Sequence, residues 1–227
     1  MSFATAISRV MMPDLIRRID AGADDATLTD YLIKISRWQA MVLMLVLSGL
    51  VLFGQQFILA WMGPEFGLSY WVLVFTLCPY AFEMIGNVRN ILLQVKGLLW
   101  WRAGIFLAAA LLNIPATLLA IQHWGLIGAA ICTGTGLLAA YLGTAWVLSN
   151  KAGIPVFVYQ REVWRGIAPA LMLAAACGML LRALLPDVGW QAFALKVVLY
   201  SAVYVCLMWL VGMNRDERSL ARTILGR

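Results

Sequence analysis

Few side chains in this sequence could do chemistry, and those few sit in unusual surroundings. Glu83 lies near the middle of an apolar run at about 70–93, with Asn87 four residues on and Asn90 three beyond that. In a continuous helix these offsets put a carboxyl and two amides on one face. A carboxylate deep in a bilayer costs a few kcal/mol on insertion scales, so ionisable groups at that depth usually face a cavity or a partner helix. Two uses for Glu83 stay open. It lines a cavity with Asn87 and Asn90, as a hydrogen-bonding or ion-coupling acid, or it stays neutral and bonds a neighbouring helix. Pro79, one turn earlier, removes a backbone donor and permits a bend. Arg89 stands about 9 Å further along the same helix. It either snorkels to the interface or meets an anionic substrate head. A second bend with a polar neighbour is expected at Asn113 and Pro115, within AALLNIPATLL.

Other reactive residues narrow the chemistry by what they lack. His123 is the single histidine and sits in a short turn, without the further ligands a metal site needs. Cys78, Cys132, Cys177 and Cys206 are far apart, each inside an apolar run, and fit packing thiols rather than a disulfide framework or metal site. No P-loop, GxSxG or HExxH pattern occurs. No catalytic residue, metal or cofactor is expected, and the chain does not read as an enzyme.

The elements that must position these residues are membrane spans. Of 227 residues 63% are apolar and only 12% charged, about half the charge of an ordinary soluble domain. About 20 apolar residues cross a hydrocarbon core as a helix, and six runs meet that length: about 38–60, 70–93, 103–122, 124–148, 166–185 and 191–212. The opening MSFATAISRVMM is too short to span, since twelve residues rise about 18 Å. Thr27 and Asp30 resemble a capping box, which predicts a helix lying on the membrane surface before the first full span. The fold expected is an all-α membrane protein with about six transmembrane helices plus a partial N-terminal one.

Charge gives the orientation. The formal net charge is +6, but the basic residues lie between apolar runs rather than in one stripe, which argues against nucleic acid. Of the 17 Lys and Arg residues, all but Arg182 and Lys196 fall on one side of the six-span arrangement. Basic flanks stay cytoplasmic, so the 13–37 segment and the C-terminus are expected there. Trp61, Trp71, Trp100, Trp101, Trp124, Trp164 and Trp190 fall near span ends, where amphipathic rings prefer the interface. In the 124–148 run Gly128, Cys132, Gly136, Ala140 and Thr144 recur every fourth residue. That stripe, with Gly128 and Gly136 at its centre, lets helices approach closely and reads as packing.

The order of these features resembles the C-terminal half of polysaccharide and oligosaccharide-lipid flippases of the MOP (multidrug/oligosaccharidyl-lipid/polysaccharide) superfamily. The residues that carry it are SRVMMPDLIRRIDAGADD, a span ending in FILAWMGPEF, a polar-centred span running into ILLQVKGLLWWRAG, and Asn113 ahead of GLIGAA at 125–130. The resemblance covers about 1–150, as a partial C-terminal lobe whose first span is truncated. Residues 151–227 would add a cytoplasmic linker, two further spans and a basic cytoplasmic tail.

Such proteins are all-helical, with two lobes around a central cavity. The resemblance implies flipping of a polyprenyl-pyrophosphate-linked sugar repeat unit across the bacterial inner membrane, with the bilayer and a missing N-terminal lobe or partner chain as partners. Two alternatives stay open: a multidrug-type extruder of the same fold, or a non-transporting membrane subunit or truncated gene product. Glu83, Asn87, Asn90, Arg89 and Asn113 are the residues expected to meet substrate or a coupling ion.

Overall fold

The computed structural model describes residues 17, 22, 25–151, 153, 155–186 and 189–225. The opening piece at 1–12 and the basic stretch that follows it lie outside these, save for Arg17 and Gly22. Among the described residues no strand forms and the chain is all-helical. Helix α1 is Asp25–Met62, and a 3₁₀ turn at Pro64–Phe66 leads into α2 (Gly67–Ile85). Then come α3 (Asn87–Val95), α4 (Leu99–Lys151), α5 (Val156–Trp164), α6 (Ile167–Leu184) and α7 (Trp190–Leu207). A π-helical turn at Met208–Gly212 extends α7, and α8 is Arg215–Leu225.

Five of these helical stretches are long and apolar enough to cross a membrane: Ala26–Met62, Pro64–Ile85, Leu99–Lys151, Ile167–Leu184 and Trp190–Gly212. Large apolar side chains cover their outer faces, with Leu112 73% and Met172 73% exposed. Apolar surface on that scale suits lipid, not water. These are the helices of a multi-pass membrane protein.

Three details differ from the sequence reading. The capping box does not start α1: the helix already runs at Asp25, and 28–36 continue into the span without turning. The 70–93 run is two helices, because α2 ends at Ile85 and α3 begins at Asn87 across Gly86. The runs 103–122 and 124–148 both fall in α4, whose 53 residues would reach about 80 Å if straight. They do not run straight. Gly125, at φ 56° and ψ −141°, breaks the helix into two arms, a backbone geometry that glycine tolerates and other residues rarely adopt.

The chain divides into two compact units that interleave along the sequence. One contains the described residues up to Ala40 together with Trp71–Val163, and the other contains Met41–Tyr70 with Trp164–Arg227. In the first unit the two arms of α4 form an antiparallel hairpin. A Cβ at Gly128 would lie 2.5 Å from the Ala120 carbonyl oxygen, one at Gly136 would meet Asn113 at 3.6 Å, and Gly143 faces Ile105. Partner numbers fall as glycine numbers rise, as antiparallel pairing requires. At the open end Lys151 Nζ sits 4.2 Å from the Trp101 ring centroid.

Helix α2 packs on the same hairpin through Gly134, which abuts the Phe75 carbonyl and Pro79. Pro79 has no N–H to offer the carbonyl four residues back, so that oxygen is open to a close neighbour. The second unit rests on a stripe along α7. Lys196 Nζ donates to Gln56 Oε1 at 3.3 Å, Tyr200 Oη to Ser48 Oγ at 2.6 Å, and Tyr204 Oη to the Met41 carbonyl at 2.8 Å. Fourfold spacing on α7 thus meets α1 in reverse order, and Gly178 of α6 closes against Leu52 and Tyr200.

Candidate functional site

The site forms in the first unit where α1, α3, α4 and α5 converge on Arg89. Helix α5 follows Pro155, whose carbonyl accepts from the Tyr159 amide at 2.9 Å. Its sequence VFVYQREVW buries Tyr159 and Val163, one turn apart, and leaves Phe157 86% exposed. The helix therefore lies with one face on the unit. Arg37 of α1 caps its far end, donating from Nη1 to the Glu162 and Val163 carbonyls at 2.9 and 3.2 Å. A cation at a helix C-terminus answers the carbonyls and dipole left open there.

Tyr159 then brings three elements together. Its hydroxyl hydrogen-bonds Ser36 Oγ of α1, and its ring lies 5.5 Å from the Arg89 guanidinium carbon. Tyr141 of α4 faces the same guanidinium at 4.6 Å and accepts a hydrogen bond from Gln160 of α5. Arg89 is thus held between two aromatic rings and is only 4% exposed. It does not snorkel. The reason is Gly86: Arg89 Nε donates to the Gly86 carbonyl at 3.3 Å, and its Nη2 occupies the space a Cβ on residue 86 would fill.

The electrostatics of this cluster are unusual. Cation–π contacts stabilise a desolvated guanidinium by about 0.5–2 kcal/mol, less than burying a charge costs. Among the described residues no carboxylate pairs with Arg89, and its Nη1 is buried without a hydrogen-bond partner. Burial pushes the Tyr159 phenol up from its ordinary pKa, while the Arg89 charge and the Ser36 hydrogen bond pull it partly back. The arrangement is positive, donor-rich and walled by rings.

The residues expected to share a site are dispersed. Glu83 is buried, but at the last turn of α2 rather than the middle of a span, and it accepts from Arg102 Nη2 at 2.8 Å. Asn87 and Asn90 lie beyond the Gly86 break on α3, where Asn90 Nδ2 donates to Asn87 Oδ1 at 3.1 Å. The single stripe of Glu83, Asn87 and Asn90 therefore does not form on one helix. Asn113 is about 16 Å of helix rise from Arg102, and its Oδ1 accepts from Thr117 at 3.0 Å. Of the expected residues only Arg89 joins the cluster.

Ser36, Arg37, Tyr141 and Tyr159 were not legible as site residues. The one local signal was Gly86 three residues before Arg89. No family model, curated protein or solved structure matches the chain.

Proposed function

We propose that the chain takes part in flipping a polyprenyl-pyrophosphate-linked oligosaccharide or polysaccharide repeat unit across the bacterial inner membrane. In this reading it is the C-terminal lobe of a MOP-type flippase, completed by a second lobe of the same protein or a partner chain. Its basic end and C-terminus face the cytoplasm, where positive flanks are retained.

The observation that carries the reading is the buried guanidinium of Arg89, held between Tyr141 and Tyr159 with an open donor and no carboxylate among the described residues. A pyrophosphate supplies the acceptor oxygens and negative charge this group lacks, and charge-assisted bonds to phosphate are strong ones. Position supports it too. Tyr141 stands 16 residues past Gly125, about 24 Å along the second arm of α4. That level is near one boundary of a ~30 Å hydrocarbon core, where a lipid phosphate resides.

The test is binding of a fluorescent polyprenyl-pyrophosphate glycan to the purified chain in detergent, with the matching polyprenol as control. Arg89→Ala should weaken binding about tenfold or more, and Arg89→Lys less, since it keeps the charge but loses the planar fork. Equal binding of the polyprenol, or unchanged affinity in Arg89→Ala, would sink the reading. Glycan export by cells carrying the same variants then reads transport itself.

A further inference from the structure

The second unit has a cavity of its own that the flippase reading does not use. It is a half-open cleft of about 430 Å³, lined by Leu52, Phe53, Gln55, Gln56, Arg182 and Gly189 among others. Its charged group is Arg182, and Gln56 adds a donor for a specific reason. Buried Lys196, 0% exposed, donates to Gln56 Oε1 at 3.3 Å. An ammonium can only donate, so the amide oxygen must face it and the NH₂ must point the other way. Gln56 also lines the cavity, and its Nε2 is buried without a hydrogen-bond partner. Arg182, in the last turn of α6, lines the same cavity and forms no ion pair among the described residues. Lys196 is thus a positioning residue that turns Gln56 into a donor.

Two further features say what kind of anion fits. The remaining wall is largely apolar, and the Phe57 ring beside it packs on Trp61, Trp190 and Phe193 with centroids 5.4–6.0 Å apart. Trp61 is 67% and Trp190 50% exposed. Exposed tryptophans at a span end mark the headgroup level of a bilayer. Arg182 and Lys196 are also the two basic residues on the opposite side of the sequence arrangement from all the others. From this geometry we infer that the cavity binds a phosphate group, carried by an anionic lipid headgroup at the membrane face opposite the basic one. Arg182 and Gln56 Nε2 hold the oxygens, and Leu52, Phe53 and Leu59 contact the acyl region. The site is separate from Arg89, so its failure would leave the flippase reading untouched.

Native mass spectrometry of the full chain in detergent tests this, using phosphatidylglycerol as probe and diacylglycerol as the uncharged control. We expect one phosphatidylglycerol retained per chain in preference to diacylglycerol. Arg182→Ala should weaken retention about tenfold or more, and Gln56→Leu about threefold. The Arg182 side chain is exposed, so its loss spares the fold, and a monodisperse elution profile checks this. Competition by inorganic phosphate would show that the phosphate alone is recognised. Its absence would assign the site to the intact lipid. Equal retention of diacylglycerol, or wild-type retention in both variants, would overturn the proposal.

Discussion

Arg102 Nη2 lies 2.8 Å from Glu83 Oε1, and the pair ties the end of α2 to the first turn of α4. The Arg102 guanidinium also stacks 4.4 Å from the Phe106 ring centroid. A buried carboxylate without a partner would be costly; here its charge is answered within the fold. Removing Arg102 strands the acid, whereas Glu83→Gln keeps an acceptor. Arg102→Ala should therefore destabilise the protein by about 1–3 kcal/mol and Glu83→Gln by less, measured by thermal unfolding in detergent. A double variant Glu83→Gln/Arg102→Met should recover part of the loss. Additive losses would mean the pair is not coupled. Export that keeps its wild-type rate and pH dependence in Glu83→Gln would rule out Glu83 as a proton-coupling acid.

Gly86 tests the burial of Arg89 without touching its charge. Its φ of −79° and ψ of −1° suit any residue, so a methyl there leaves the backbone unstrained and acts through the guanidinium it overlaps. Gly86→Ala should expel Arg89 from between the tyrosines and weaken binding of a pyrophosphate lipid about as much as Arg89→Ala does. Normal binding in Gly86→Ala would mean the guanidinium is not needed where the structure holds it.

The glycines of α4 separate into those that touch backbone and those that do not. Gly128→Ala would push a methyl into the Ala120 carbonyl, and Gly134→Ala into that of Phe75. Each should cost about 1–3 kcal/mol through overpacking. Gly136 meets only the Asn113 side chain at ordinary contact distance, and Gly104 has nothing within 4 Å. Gly104→Ala should be neutral or slightly stabilising, because alanine favours helix. The ranking of the three variants in a detergent melt checks these contacts directly.

Tyr159 predicts an alkaline limit. Its folded pKa is raised, so the folded state binds the phenolic proton more tightly than the unfolded chain does. The associated stability is fully present below the unfolded value of about 10 and is lost as pH rises toward the folded value. Melting temperature should therefore fall above about pH 10 in the wild type, and fall less in Tyr159→Phe. At neutral pH the same variant loses the Ser36 hydrogen bond, about 1 kcal/mol. Parallel pH profiles for the two proteins would contradict this account.

Much of the architecture was legible because lipid imposes a length rule that needs no partner information. Apolar runs of about 20 residues pointed to the long apolar helices, while the tight backbone approaches in α4 fall at Gly128 and Gly134 rather than at Gly136. The places where runs break were harder. Gly86 and Gly125 are ordinary letters within apolar text, and only the folded backbone reveals that one separates α2 from α3 while the other folds an arm back. The stripe of Lys196, Tyr200 and Tyr204 was open to inspection as a fourfold repeat, yet its meaning depends on α1 lying opposite.

By itself the sequence determined that this is an all-helical chain of multi-pass membrane character, since hydropathy and length are properties of each segment alone. Which polar groups meet was decided only in three dimensions. Ser36 and Tyr159 are 123 residues apart, Gln56 and Lys196 are 140 apart, and Glu83 reaches Arg102 rather than Asn87. A polar side chain in hydrocarbon must find a partner, and hydropathy says only that the need exists. Helix pairing, set by glycine faces and by the breaks at Gly86 and Gly125, determines which side chain answers it.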